Sequence, residues 1–440
     1  MALVVGFVGR LALLLAGLGL CGVAQAGADR TTPTIQDVPP LPPPTGPFQI
    51  GRVTIHLTDV SRVERAAPDG TPRELMVDVW YPAEPTTAPR AAAYFDGAAF
   101  SQPRSDERLK SYLRTAYDAI KAGCVPTFAF EGVPFARSAT RTPLLIFSHG
   151  GGEARETYTA QLGDLASHGY VVAAITHSYE SVLAVFPDGR HALLRPDLWP
   201  QATSTTIPGL PPTEEANPDK LRWLAEDIRF VLSELSRHSR TPSGILPFAE
   251  KIDLTRVGAF GHSMGGQAAA NACQNDQRLR ACLNQDGLSA FAPYYLDVEG
   301  WGMDQPFMLM VRAPRTDSPG DEDLAAMKVS RTQFDEILRQ LRARQDATLR
   351  NTGKGSYRLL LARETTTHAD FGDLPLLQSP TRPEADTRAQ VLSEIRRYTR
   401  AFFDKYLKQQ KTPLLDDRVS GEYVETVESF PPAERPKRRR

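Results

Sequence analysis

The chain has 440 residues, with 51 Lys and Arg against 52 Asp and Glu, so its formal net charge is −1. A near-neutral balance argues against nucleic acid as the main partner, and 41% hydrophobic residues suffice for a large core. Length alone would divide the chain into about three domains. Inserted α/β folds routinely exceed that prior, so one main domain is expected.

At the N-terminus Arg10 precedes the apolar stretch Leu11 to Val23, and Ala24-Gln25-Ala26 has the form of a leader-cleavage site. We expect a signal peptide over 1–26, cleaved after Ala26, and an exported, periplasmic or secreted protein. An uncleaved anchor is the alternative, but the stretch is short for a membrane span. Leu20 stands before Cys21 where a lipoprotein signal wants a small residue, so lipidation is not expected. Residues 27–47 are rich in Pro and Thr and read as an extended linker. The main domain is expected over 48–411. Residues 412–440 read as a polar tail, closing on the solvated charge run Lys437-Arg438-Arg439-Arg440.

Arg52 to Leu57 and Glu74 to Tyr81 alternate as early strands, the second ending at Pro82. An insertion over about 83–140 follows and is expected to cap or border a site. Leu144-Leu145-Ile146-Phe147 is an apolar strand that runs into Gly150-Gly151-Gly152. Tyr158, Leu162 and Leu165 lie at helical spacing up to Gly169, and Tyr170 to Thr176 reads as a buried strand. A second, Pro-rich insertion spans about 180–216. Leu221, Leu224, Ile228, Val231 and Leu235 then mark one helix face, and Val391, Ile395, Tyr398, Phe402 and Tyr406 another near the C-terminus. Strands alternating with helices predict a mainly parallel sheet with helices on both faces.

The sharpest signal is Gly261-His262-Ser263-Met264-Gly265, placed between the apolar run Val257 to Phe260 and the helix-compatible Gln267 to Ala272. A serine on a tight strand-to-helix turn has a strained backbone, and the positions two before and two after it must lack side chains. Gly261 and Gly265 meet that demand. The turn would lift Ser263 above the sheet and aim a helix N-terminus at developing negative charge.

A serine hydroxyl needs a base, and the base an acid to orient it. In chain order Ser, acid, His, only one of the eight histidines follows Ser263, so His368 must be the base. It lies in a polar loop behind the strand Tyr357 to Leu361. For the acid, Asp286 ends the strand Ala281 to Gln285, and Asp317 follows the strand Pro306 to Val311. Asp286 is preferred because a rigid element holds it; Asp370 and Asp373 are expected to brace the histidine loop. The oxyanion hole needs two backbone N–H groups, expected from Met264 and Gly151, with Gly150 and His262 in support.

Three segments carry a family resemblance: Phe147-Ser148-His149-Gly150, Asp164 to Val172, and Gly261 to Gly266. The strand ending at Asp286 and His368-Ala369-Asp370-Phe371-Gly372-Asp373 extend it. Together they resemble the secreted and type II intracellular platelet-activating-factor acetylhydrolases of the α/β-hydrolase superfamily, over roughly residues 70 to 410. The resemblance implies an α/β-hydrolase fold with two cap-like insertions. It assigns Ser263 as nucleophile, Asp286 as acid, His368 as base and the Gly151 and Met264 amides as oxyanion donors. It also implies cleavage of short-acyl or phospholipid-type esters without calcium or another cofactor. The partner expected is a small-molecule or lipid ester, a lipid being met by transient contact with a membrane surface. An acyltransferase, an amidase or peptidase would share the same residues. A non-catalytic binding protein would have lost one of them, and none is lost.

After cleavage three cysteines remain, Cys124, Cys273 and Cys282. In an oxidising compartment Cys273 and Cys282 are a plausible disulfide bracing the acid against the nucleophile; two buried thiols are the alternative. No metal-ligand spacing is visible, so no metal is expected.

Overall fold

The computed structural model describes residues 38–67, 70–139, 141–199, 218–240, 245–287, 302–313, 324, 330–416 and 421–433. The expected leader, the alternative acid Asp317, residues 200–216 of the second insertion and the basic C-terminus lie outside them.

The described residues build a ten-stranded sheet in the order β12-β11-β10-β9-β8-β4-β5-β2-β1-β3. Its centre is parallel. It runs through β5 (Val171–His177), β4 (Thr142–Ser148), β8 (Ile252–His262), β9 (Leu279–Gln285), β10 (Phe307–Arg312) and β11 (Ser356–Leu361). β1 (Gln49–Val63) and β2 (Pro72–Ala83) form an antiparallel hairpin, and β2 joins β5 antiparallel. Every residue of β4 and β5 is buried, which is why these strands read as continuous apolar runs rather than alternations.

The two sheet faces bury two cores. Leu144 and Ile146 point into one, against Leu221, Leu224, Ile228 and Val231 of α3 (Pro218–Arg240) and Ala268 and Ala269 of α4 (Met264–Asn275). Leu145 and Phe147 point into the other, against Leu162 and Leu165 of α2 (Thr159–Ser167) and Ile395, Tyr398 and Phe402 of α6 (Arg382–Leu407). Alternate β4 side chains thus face opposite helical layers, as the period of two requires.

The insertions are built into the fold. The first contains α1 (Pro103–Leu113) and β3 (Ala129–Glu131), and β3 pairs parallel with β1 and lengthens the sheet. The second contributes the hairpin of β6 (Leu183–Val185) and β7 (His191–Leu193). Leu109, Leu113 and Ile120 of the first share a core with Val182 and Leu183 of the second and with Leu376 and Leu377 beyond the histidine loop.

Two expected boundaries are corrected. The linker does not extend to residue 47 as free chain: Leu41 is buried, Thr45 binds Asp164, Gly46 binds Ser167, and Arg396 holds the Pro42 and Pro43 carbonyls. The tail does not begin at 412 either. β12 (Val424–Phe430) pairs antiparallel with β11 and buries Val424 and Val427. Its alternation is interrupted by Glu425 and Glu428, as suits an edge strand with one open face. A helix not anticipated, α5 (Arg331–Arg350), starts with a capping box between Ser330 and Gln333.

Candidate active site

The site assembles where parallel strands end and helices begin. β8 stops at His262, and Ser263 follows at φ 52°, ψ −122° before α4 starts at Met264. A positive φ in a non-glycine residue costs about 1–3 kcal/mol and persists only where its surroundings impose it. Here the surroundings are backbone. A Cβ on Gly261 would sit 2.5 Å from the Gly265 carbonyl, and one on Gly265 would sit 2.1 Å from the Ser148 oxygen. The two glycines therefore let β8, α4 and the end of β4 close on one another.

Asp286 follows β9 directly, also at positive φ (51°), with its amide bound to the Met310 carbonyl of β10. His368 stands in a helical turn, His368–Phe371, held by Thr367 and Asp370 as reciprocal caps. Arg388 of α6 binds the same Asp370 carboxylate at 2.7 Å. Asp373 anchors the far end of the loop: its amide binds the Thr157 carbonyl, and its carboxylate accepts from Tyr94 and the Ala160 amide. Both acids act as expected.

These elements bring three side chains into a line. Ser263 Oγ lies 3.0 Å from His368 Nε2, and His368 Nδ1 lies 2.6 Å from Asp286 Oδ2. Asp286 is 3% exposed. Burial pushes its carboxyl up, but the His368 hydrogen bond and the Arg312 charge outweigh burial and hold it below the usual carboxylate range. Arg312 closes β10 and donates from Nε to the same Oδ2 at 2.8 Å.

The glycine loop lies against the elbow. A Cβ on Gly151 would fall 3.3 Å from Met264 Cε, so the two expected donors are neighbours. Among the described residues neither the Gly151 nor the Met264 amide has an acceptor, whereas Gly152 donates to the Glu180 carbonyl and Gly150 to the Tyr158 hydroxyl. His262, one residue before the serine, reaches Tyr158 from Nδ1 and the His368 carbonyl from Nε2, at 2.7 and 2.8 Å.

Beneath the loop lies a second Ser-His-Asp line that the sequence did not announce. Ser148 Oγ lies 2.8 Å from His177 Nε2, and His177 Nδ1 lies 2.8 Å from Asp227 Oδ2. All three are sealed from solvent. Asp227 also binds Arg73 and Arg62, which keep it ionised against its burial. His149 packs edge-on against His177, and burial followed by the His177 charge pushes its pKa down to about 3. The cluster ties β4 to α3 and to the β1–β2 hairpin. Its members are far apart in sequence, so no motif exposes them.

Cys273 of α4 and Cys282 of β9 form a disulfide, with Cα atoms 6.5 Å apart. It joins the elbow helix to the strand that carries Asp286.

Residues 38–194 match the family model described as platelet-activating factor acetylhydrolase, isoform II. That stretch holds the glycine loop and ends before Ser263. The platelet-activating factor acetylhydrolase of Canis lupus familiaris is 30% identical over 178 residues, 37% of this chain and 39% of that protein. A probable 1-alkyl-2-acetylglycerophosphocholine esterase of Arthroderma benhamiae is 25% identical over 260 residues, 56% of this chain and 58% of that protein. The chain thus spans less than two thirds of the curated relatives it matches. Among solved structures, a ferulic acid esterase from Streptomyces cinnamoneus superposes with a TM-score of 0.62 at 27% identity, over 87% of this chain and 97% of that one. The fold is that of an α/β-hydrolase, and the sequence is platelet-activating-factor-acetylhydrolase-like.

Proposed function

We propose that the chain is a serine ester hydrolase acting on short-acyl or phospholipid-type carboxylic esters. The observation that carries this reading is the hydrogen-bonded line Ser263–His368–Asp286, set on a positive-φ elbow. The esterase names of the relatives and of the structural neighbour support it.

In this mechanism His368 Nε2 takes the Ser263 proton as Oγ attacks the ester carbonyl. Asp286 accepts the hydrogen bond from Nδ1–H and stabilises the imidazolium. The Gly151 and Met264 amides meet the oxyanion, where a lost donor typically costs about 10²–10³ in kcat. His368 returns the proton to the departing alcohol, leaving an acyl-enzyme at Ser263. Water then attacks that ester, with His368 again the base. We also propose export, from the Leu11–Val23 stretch and the Ala24-Gln25-Ala26 site.

The test is a fluorophosphonate probe on the purified mature protein beside Ser263→Ala, with p-nitrophenyl esters from acetate to decanoate. Labelling and turnover should both vanish in the variant, with wild-type activity highest on short chains. Turnover retained by Ser263→Ala would overturn the mechanism, and activity rising with chain length would replace the short-acyl preference with a lipase-like one.

A further inference from the structure

Three segments of the site are joined through one phenol and one imidazole. Tyr158 is fully buried just before α2. Its hydroxyl accepts the Gly150 amide at 3.2 Å, contacts the Glu153 carboxylate and lies 2.7 Å from His262 Nδ1. His262 Nε2 lies 2.8 Å from the His368 main-chain carbonyl. The glycine loop, the elbow and the base loop are thus joined through two side chains.

The protons available to these contacts can be counted. A carbonyl oxygen only accepts, so His262 Nε2 must carry a proton. A phenol has one proton to give. If Tyr158 gives it to His262, the phenol oxygen faces the Glu153 carboxylate with no hydrogen between them. If Tyr158 gives it to Glu153, then Nδ1 needs a proton of its own. A carboxylate with a neutral imidazole leaves one contact unsatisfied in either arrangement, and a buried unsatisfied polar group costs about 1–3 kcal/mol. One further proton satisfies every contact, and it belongs on the imidazole, the stronger base, because a carboxyl group whose side chain is 28% exposed gives up its proton first.

We infer that His262 is an imidazolium donating from both ring nitrogens, to Tyr158 and to the His368 carbonyl, with the Glu153 carboxylate as its counter-charge across the phenol. Glu153 Oε2 lies 3.6 Å from Nδ1, and the Phe371 ring stacks on the imidazole at 5.3 Å and 18°. Burial pushes the Glu153 carboxyl up, but the His262 charge and the His262 and Tyr158 hydrogen bonds outweigh it and keep it ionised. The other charged or titratable groups facing the cluster are His368 and Asp286 on the base side, His149 and Arg155 around the glycine loop, and Tyr112 of α1. Tyr158 and His262 are positioning residues: they fix the loop that presents Gly151 and the main chain that carries His368. This consequence for catalysis rests on the ester-hydrolase reading; the protonation state does not.

The test is nitrogen NMR of the full mature chain labelled with 15N-histidine, with His262 assigned by the signal lost in His262→Asn. At neutral pH wild-type His262 should show a directly bonded proton on both ring nitrogens. Glu153→Gln should strip Nδ1 of its proton, because a Gln amide donates to the phenol and frees the phenol proton for Nδ1. A bare Nδ1 in the wild type would overturn the inference, as would an Nδ1 proton that survives in Glu153→Gln. For the positioning role, Tyr158→Phe should lower kcat on p-nitrophenyl acetate by about 10–100-fold with KM little changed. A wild-type kcat in a folded Tyr158→Phe would remove that role. If Tyr158→Phe does not fold, His262→Asn decides it: kcat on p-nitrophenyl acetate should fall about 10–100-fold with KM little changed, and a wild-type kcat in that variant would overturn the role. If the wild type itself lacks Ser263-dependent turnover, the hydrolase reading falls and the NMR result still judges the proton.

Discussion

Arg312 and His368 converge on one atom, Oδ2 of Asp286, from 2.8 and 2.6 Å. The carboxylate that would orient the base is therefore also held by the cation that ends β10. Arg312→Gln should remove a charge-assisted hydrogen bond worth about 1.5–3 kcal/mol. The sign of its pH dependence follows from Asp286. Its folded value is depressed, so the stabilisation is present above the ordinary 3.8 and is lost as pH falls through the lower folded value. Urea midpoints of wild type and variant should differ most near neutrality and draw together below the ordinary carboxylate range. A difference constant with pH would show that Arg312 stabilises by packing alone.

The buried line Ser148–His177–Asp227 has the same order of groups as Ser263–His368–Asp286 but is sealed from solvent. A fluorophosphonate should thus label the protein once, and Ser148→Ala should still be labelled. Mass spectrometry of the intact adduct counts the probe directly, and a second equivalent would mean that the cluster opens.

Asp227 is where that cluster carries its stability. Asp227→Ala leaves Arg73, itself fully buried, with Glu64 as its one remaining counter-charge among the described residues. Removing one partner of a buried ion pair costs about 3–5 kcal/mol. Chemical denaturation should show a loss of that size, with β4 and the glycine loop among the first segments to exchange amide hydrogens. A loss below about 1 kcal/mol would place the energy elsewhere in the network.

The line Ser263–Asp286–His368 was legible in the sequence because its constraints are local or ordinal. Gly261 and Gly265 announce the turn, and a single histidine follows Ser263. The helices with one apolar face, such as that of Leu221, Leu224, Ile228, Val231 and Leu235, were legible for the same reason. Arg312 was not, since an arginine ending an apolar strand looks like any solvated strand end until β9 and β10 are paired. Tyr158 was read as a packing residue because its apolar ring fits the helical period, while its hydroxyl serves contacts 104 residues away. β12 was hidden by its acidic outward face, which resembles a tail until the edge of β11 is there to receive it.

The disulfide offers a direct test of how firmly the elbow is braced. Cys273 and Cys282 are nine residues apart, and closing so short a loop is worth about 2–3 kcal/mol. The double Cys→Ala variant should melt several degrees lower. It should lose more kcat than KM, because α4 and β9 carry the residues on either side of His368. Unchanged melting on reduction of the wild type would show that core packing alone holds these elements.

Asp373 should make stability fall from the ordinary carboxylate value up to about 8. It is fully buried, and burial pushes it up to about 8 despite hydrogen bonds from Tyr94 and the Ala160 amide. Its folded value lies above its unfolded one, so the sign is opposite to that of Asp286. Folding retains a proton that the unfolded chain releases above the ordinary 3.8, and stability falls as pH rises from there to about 8. Asp373→Asn keeps the shape without the proton. Its melting temperature relative to wild type should therefore rise steadily across that interval and level off above it. Because Asp373 anchors the loop that carries His368, the same substitution should shift the alkaline loss of activity to higher pH. A melting difference that does not vary across the interval would mean that Asp373 is already ionised in the folded protein.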